Sequence, residues 1–368
     1  MLAAPFPWFG GKSRVAPLVW EAFGDVRNYV EPFFGSGAVL LGRTSVAGIE
    51  TINDLDGFLA NFWRAVAADP DAVAAHADWP VNEADLHARH LWLVANREDL
   101  TLRLMADPEF YDARVAGWWV WGICSWIADG WCSGNGPWQN VDGRLAKVDA
   151  GQGINRKLPH LGNAGRGINR QLPHMGDAGQ GINRQLPHMG NAGRGINRQL
   201  PRLDAAQHGT GVHNQGSNVV QWFHQLRDRL RGVRIACGDW ARVTSEAVTT
   251  RHRGITGVFL DPPYSEGNAG YGVGTTTVTH DVREWAIANG GHNRMRIALC
   301  GYEGEHAMPP DWQCVAWKSK GGYGSQSGGE GRVNSGRERI WLSPACHRVM
   351  RHSTKSQGNL FEGVADGA

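Results

Sequence analysis

The apolar run Ile255 to Leu260 stops in Asp261-Pro262-Pro263-Tyr264. Proline fixes φ and donates no hydrogen bond to a ladder, so a β-rich run ending in two prolines predicts a buried strand emptying into a rigid turn. That turn presents a carboxylate, a proline carbonyl and a phenol ring at a strand's carboxyl end. In open α/β sheets this is the end where ligands bind. The set suits a flat ring carrying an exocyclic amine: the Asp261 carboxylate and the Pro262 carbonyl accept its two N–H bonds, and Tyr264 stacks on the ring. An ordinary strand end with a Pro-Pro turn would look the same in isolation. The rest of the chain has to supply the context.

Two stretches near the start do so. Pro7-Trp8-Phe9-Gly10-Gly11-Lys12 is a glycine-hinged turn before a helical pattern with Val15, Leu18, Val19 and Phe23 on one face. Two glycines before a lysine at a helix start can admit an anionic ligand, although such turns are common. Tyr29-Val30-Glu31-Pro32-Phe33-Phe34-Gly35-Ser36-Gly37 then predicts a strand, a tight Gly-x-Gly turn and a helix from about Ala38. The full G-x-G-x-x-G with its phosphate cradle is absent, which favours a nucleoside without a pyrophosphate. A second strand, Ile49 to Asn53, ends at Asp54, 17 residues after Gly37. A carboxylate there can accept two hydrogen bonds from a ribose diol. Asp56 competes for that part, and either residue could instead cap the helix starting near Gly57.

At 368 residues the chain is long enough for two domains, or for one large domain with an insertion. Its 37 Lys+Arg against 35 Asp+Glu give a net charge of +2, so any surface for a polyanion must be local. No run of about 18 apolar residues exists and the start lacks a basic-then-apolar segment, so the expectation is a soluble protein that is not exported. The six cysteines lack C-x-x-C or Cys/His ligand spacing, which makes buried free thiols the default and implies no structural metal.

Residues 58 to about 127 carry helical periodicity and end in six tryptophans between Trp118 and Trp138. Packing is the commoner use of such a cluster, while its glycine-rich end could set one or two rings against a nucleic acid base. From Asp149 to Asp204 a unit of 14 residues repeats four times, with seven Arg and one Lys against three Asp. Everything outside the repeat then sums to about −3, so the basic surplus sits in one arm with too few apolar residues for a core. Such an arm suits phosphate contacts, and a solvated spacer explains it equally well. Beyond it come an amphipathic helix, Val219 to Leu230, and a strand, Val233 to Cys237, with Asp239 at its tip. A helix at His280 to Asn289, strands at Arg296 to Leu299 and Arg337 to Leu342, and a poorly held tail from Pro344 complete the expected elements.

Set together, these residues resemble the Dam-like family of adenine-N6 DNA methyltransferases, over two blocks near residues 5–68 and 233–344. The resemblance implies an α/β fold: a Rossmann-like S-adenosylmethionine-dependent methyltransferase sheet with helices on both faces, plus an inserted helical and repeat-containing target-recognition region. It divides the chain into catalytic segments at 1–68 and 219–344, an insert at 69–218 and a flexible tail at 345–368. It assigns cofactor binding to Trp8, Gly10, Gly11, Lys12, Glu31, Gly35, Gly37, Asp54 and Asp239, and catalysis to Asp261, Pro262 and Tyr264. The cofactor it implies is S-adenosyl-L-methionine and the partner it implies is double-stranded DNA, with phosphate contacts expected from Arg337, Arg339 and the repeat. The reaction implied is methyl transfer to N6 of a flipped-out adenine. Cytosine N4 presents the same kind of amine, and an idle DNA-binding protein of the same fold is the non-enzymatic alternative. The location implied is cytoplasmic, bacterial or phage-encoded. No target sequence, nuclease partner or oligomeric state follows.

Overall fold

The computed structural model describes residues 2–8, 11–44, 48–126, 131–132, 138–141, 144–147, 219–251, 254–264, 275–318 and 336–349, with backbone alone for 138–141, 144–147 and 275–276. Gly10, the 14-residue repeats and residues 265–274 and 319–335 lie outside these residues. In chain order the elements are α1 (Ala16–Phe23), β1 (Asn28–Glu31), α2 (Ala38–Leu41), β2 (Ile49–Asp54), α3 (Gly57–Ala68), α4 (Pro70–Ala77), α5 (Glu83–Ala95), α6 (Arg97–Ala106) and α7 (Ala113–Ser125). A hairpin, β3 (Trp138–Val141) and β4 (Arg144–Lys147), follows, then α8 (Val219–Leu230), β5 (Val233–Cys237), α9 (Ala241–Thr244), α10 (Glu246–Thr249) and β6 (Thr256–Leu260). The last elements are α11 (Thr275–Gly290), β7 (Met295–Tyr302), β8 (Gln313–Ala316) and β9 (Glu338–Leu342).

Seven strands form one sheet in the order β5-β2-β1-β6-β7-β9-β8. The first five are parallel, while β9 runs antiparallel to both its neighbours. The chain moves from β1 outward to β2 and β5, then crosses back to β6 on the other side of β1. A crevice at the carboxyl ends of β1 and β6 is therefore the topological switch point. The central strands are buried on both faces, which is why β6 and β7 read as almost continuous apolar runs. Alternation still sorts the side chains: Val30, Val258, Leu260, Ile297 and Leu299 meet Val282 and Ala286 of α11 on one face. Tyr29, Phe259, Ala298, Ile340 and Leu342 join the core under α1, α3 and α8 on the other. The expected helix-covered α/β sheet is what the chain adopts.

Helix boundaries follow their caps. Asp56, Asp69, Asn82 and Asp112 each accept a backbone N–H of the first turn of α3, α4, α5 and α7. The core crosses residue 68 without interruption, because Val73, Leu93, Leu104 and Val120 cluster with Phe62, Trp63 and Phe223. Within the tryptophan cluster Trp119, Trp121 and Trp131 are buried, and the Trp131 indole N–H donates to the Trp119 carbonyl at 3.1 Å. Helix α8 is tied to the sheet by an ion pair: Glu50 on β2 takes the half-buried Arg229 at 2.7 Å and also the buried Arg43 at 3.0 Å. The tail is held further than expected. His347 N–H bonds the Ala22 carbonyl, and Val349 exchanges two hydrogen bonds with the Gln313 side chain. Residues 350–368 lie outside the described part. Among the described residues no helix is long and apolar enough to cross a membrane. Four of the six cysteines are buried, and Cys314 is exposed.

Candidate active site

Four strand tips carry acids in spatial order: Asp239 after β5, Asp54 closing β2, Glu31 closing β1 and Asp261 after β6. Asn53 holds three of these tips together. Its buried side-chain N–H group donates to the Pro32 carbonyl at 3.0 Å and the Gly238 carbonyl at 2.9 Å. Sequence reading passed over this residue, since an asparagine at the end of a strand carries no motif.

The Gly-x-Gly turn sits beside Asp54. Gly35 has φ +50 and Gly37 has φ +71, the left-handed region that costs a side-chain-bearing residue energy. A Cβ on Gly35 would fall 2.7 Å from the Trp8 indole nitrogen, so the half-buried Trp8 closes over this turn. The Gly35 N–H donates to Asp54 Oδ2 and the Asp56 N–H to Asp54 Oδ1, each at 3.0 Å. At this corner the structure decides the helix cap. Asp56 is the helix cap, donated to by the Phe58 N–H at 2.8 Å and paired with Arg97 at 3.1 Å. Asp54 faces the turn, and burial raises its pKa to about 7 despite those backbone hydrogen bonds. Glu31 is buried, with the Tyr29 hydroxyl on its Oε2 at 2.7 Å, and burial raises it well above the usual carboxylate range. Asp239 is exposed and accepts the Ala241 N–H at 2.8 Å.

Beyond β6 the Asp-Pro-Pro-Tyr turn is pinned by Thr279 of α11, whose hydroxyl donates to the Pro263 carbonyl at 2.5 Å. Lys12 lies here rather than at the glycine corner. Its ammonium pairs with Asp261 Oδ1 at 3.0 Å and donates to the Tyr264 hydroxyl at 3.0 Å. That hydroxyl also lies 3.2 Å from Asp261 Oδ1 and 3.0 Å from Glu338 Oε2 on β9. Burial would lower the Lys12 pKa, but the Asp261 and Glu338 carboxylates outweigh burial and hold the ammonium above its ordinary value. Burial raises Asp261 and Glu338, with Lys12 offsetting part of the rise in each. The Tyr264 ring is half-buried and packs edge-on against Tyr302 at 4.5 Å.

Glu338 was not among the residues singled out by sequence, where it stood between two arginines expected to meet DNA. The available signal was alternation, since Glu338 shares a face with buried Ile340 and Leu342. The arginines differ. Arg339 is paired with Glu303 at 2.7 Å, whereas the Arg337 guanidinium lies 5.3 Å from the centre of the Tyr302 ring, beside Tyr264.

Residues 8–96 match the D12 class N6 adenine-specific DNA methyltransferase family. The match indicates a DNA adenine-N6 methyltransferase, the activity that the resemblance implied. It takes in Trp8, Lys12, Glu31, Gly35, Gly37 and Asp54, and it runs through α5, beyond the first block expected from the motifs. No curated protein matches the chain. Methyltransferases of this family use S-adenosylmethionine as methyl donor. The chemistry of the strand tips fits such a group, because carboxylates suit both a cationic sulfonium and a ribose diol. The bare backbone at Gly35 and Gly37 serves the packing of Trp8 and Phe34 as well.

Proposed function

We propose that this methyltransferase moves a methyl group from S-adenosylmethionine to N6 of an adenine flipped out of duplex DNA. The observation that carries the reading is the meeting of Asp261, Tyr264 and Lys12 at the switch point, one strand from the Asp54–Gly35 corner. Trp8, Glu31, Gly35, Gly37, Asp54 and Asp239 are assigned to the cofactor. When bound, S-adenosylmethionine supplies an electrophilic methyl group. Asp261 and the Pro262 carbonyl accept the two N–H bonds of the target amine, whose lone pair is otherwise delocalised into the ring. That arrangement favours a tetrahedral nitrogen, and positioning with electrostatics does the work without a covalent enzyme intermediate. Lys12 steadies the Asp261 carboxylate, and Tyr264 offsets stacking lost by the flipped base, an extrusion costing about a few kcal/mol. The region 69–218 is assigned to target reading. Incubation with methyl-labelled cofactor tests the reading: label should appear in duplex DNA, and its absence in spite of cofactor binding would contradict it.

Asp54 gives a pH prediction. Raised from 3.8 to about 7, this group favours the folded protein most below its unfolded pKa, and that contribution fades as pH climbs to about 7. A ribose diol is gripped by the carboxylate, so binding should release a proton. Cofactor affinity should rise about fivefold from pH 6 to 7 and level off above it. Calorimetry across pH 6 to 8 reads this, and a flat profile would remove Asp54 from the binding site.

Arg337 and Arg339 separate by their partners. Arg337→Ala should reduce the slope of log K against log salt for DNA binding by about 1. Arg339→Ala, which frees Glu303 from its ion pair, should change that slope less. An unchanged slope for both would place the phosphate contacts elsewhere.

A further inference from the structure

Glu338 is a buried carboxylate, 3% exposed, whose side chain makes one hydrogen bond among the described residues, to the Tyr264 hydroxyl. Burying a carboxylate costs stability, which the hydrogen bond from a phenol and the nearby Lys12 charge offset only in part, so packing alone offers no reason for it. Hydrogen-bond accounting at Tyr264 supplies one. The phenol has a single proton and stands before two carboxylates, Glu338 Oε2 at 3.0 Å and Asp261 Oδ1 at 3.2 Å. Its oxygen already accepts from the Lys12 ammonium, which also serves Asp261 Oδ1 at 3.0 Å. With Asp261 Oδ1 supplied by Lys12, the phenol proton goes to Glu338. Both contacts to Asp261 fall on Oδ1, so Oδ2 carries no hydrogen bond from the described residues.

We propose that Glu338 is a positioning residue: it accepts the hydrogen bond of the Tyr264 hydroxyl and thereby keeps the Asp261 carboxylate a strong acceptor for the target amine while fixing the angle of the Tyr264 ring. The inference rests on the methyl-transfer reading above. Without Glu338 the hydroxyl turns to Asp261 Oδ1, already held by Lys12, and draws charge from the carboxylate whose Oδ2 is left to the target amine.

The test is a cycle of Glu338→Ala, Glu338→Gln and Tyr264→Phe in the full chain, with kcat and KM measured on duplex DNA. Glu338→Ala should lower kcat about tenfold, the size of one lost hydrogen bond, with KM for the cofactor unchanged. Glu338→Gln keeps a carbonyl acceptor and should stay within about threefold of the parent. In the Tyr264→Phe background, where no hydroxyl remains, Glu338→Ala should cost nothing further. A wild-type rate for Glu338→Ala, a Gln variant as slow as Ala, or a loss that persists in the Phe background would each overturn the proposal. Should the alanine variant fold poorly, Glu338→Leu, which refills the volume, takes its place.

A second readout does not need turnover. The 13Cζ resonance of labelled Tyr264, assigned by its disappearance in Tyr264→Phe, should shift in Glu338→Gln, and an unmoved resonance would overturn the proposal. A parent protein that methylates nothing while this resonance does shift would count against the methyl-transfer reading and not against the contact.

Discussion

Asp261→Ala should cut methyl transfer by about 10² to 10³, the effect seen when one preorganised polar group is taken from a reacting centre. The loss should fall on kcat, because the Asp54–Gly35 corner that is assigned to the cofactor is left intact. Removing the carboxylate also removes the Lys12–Asp261 ion pair. The open acceptor at Oδ2 disappears at the same time. Asp261→Asn separates these effects, since it keeps one acceptor oxygen but presents an N–H group that repels the target amine. Single-turnover kinetics with saturating cofactor would report the loss, and an alanine variant within about threefold of the parent would remove Asp261 from the chemistry.

Glu50→Ala should destabilise the protein by about 3 to 5 kcal/mol, because it leaves the buried Arg43 and the half-buried Arg229 guanidinium groups without this counter-charge. Arg43 and Arg229 both close on Glu50, and their Nε atoms already lack partners. Arg229 comes from α8, the helix that resumes the chain after the 14-residue repeats. Glu50 therefore fastens the returning segment to the second strand of the sheet, and losing it loosens β2, β5 and the strand tips that carry Asp54 and Asp239. Urea unfolding measures the difference directly, and a change under about 1 kcal/mol would show that the triad is replaceable by water.

The elements that sequence reading found best are those whose burial is lopsided or complete. Helix α8 was placed at Val219 to Leu230, where Trp222, Phe223, Leu226 and Leu230 form one buried face. The β6 run ending at Leu260, buried at every position, followed from an apolar run bounded by turn residues. Strand β8 escaped because among Gln313–Ala316 Val315 alone is buried, which leaves no alternation to detect. The β3–β4 hairpin lies in a glycine- and tryptophan-rich stretch that reads as packing or loop. At the site, residues carrying local motifs were legible: Gly35, Gly37, Asp54, Asp261 and Tyr264. Lys12, Asn53 and Glu338 were legible in identity or not at all, because their partners are remote in the chain. Lys12 meets Tyr264 across 252 positions and Glu338 meets it across 74, distances that no spacing rule spans. The cap at Asp56 is the reverse case: only the placed Phe58 N–H decided between it and Asp54.

The measurement that tests the central claim most directly is mass spectrometry of nucleosides from DNA of cells expressing this protein, beside an Asp261→Ala control. N6-methyladenine that appears with the intact protein and vanishes in the control is the predicted result, and it would fix base, atom and residue together. N4-methylcytosine in its place, or N6-methyladenine undiminished in the control, would contradict the account.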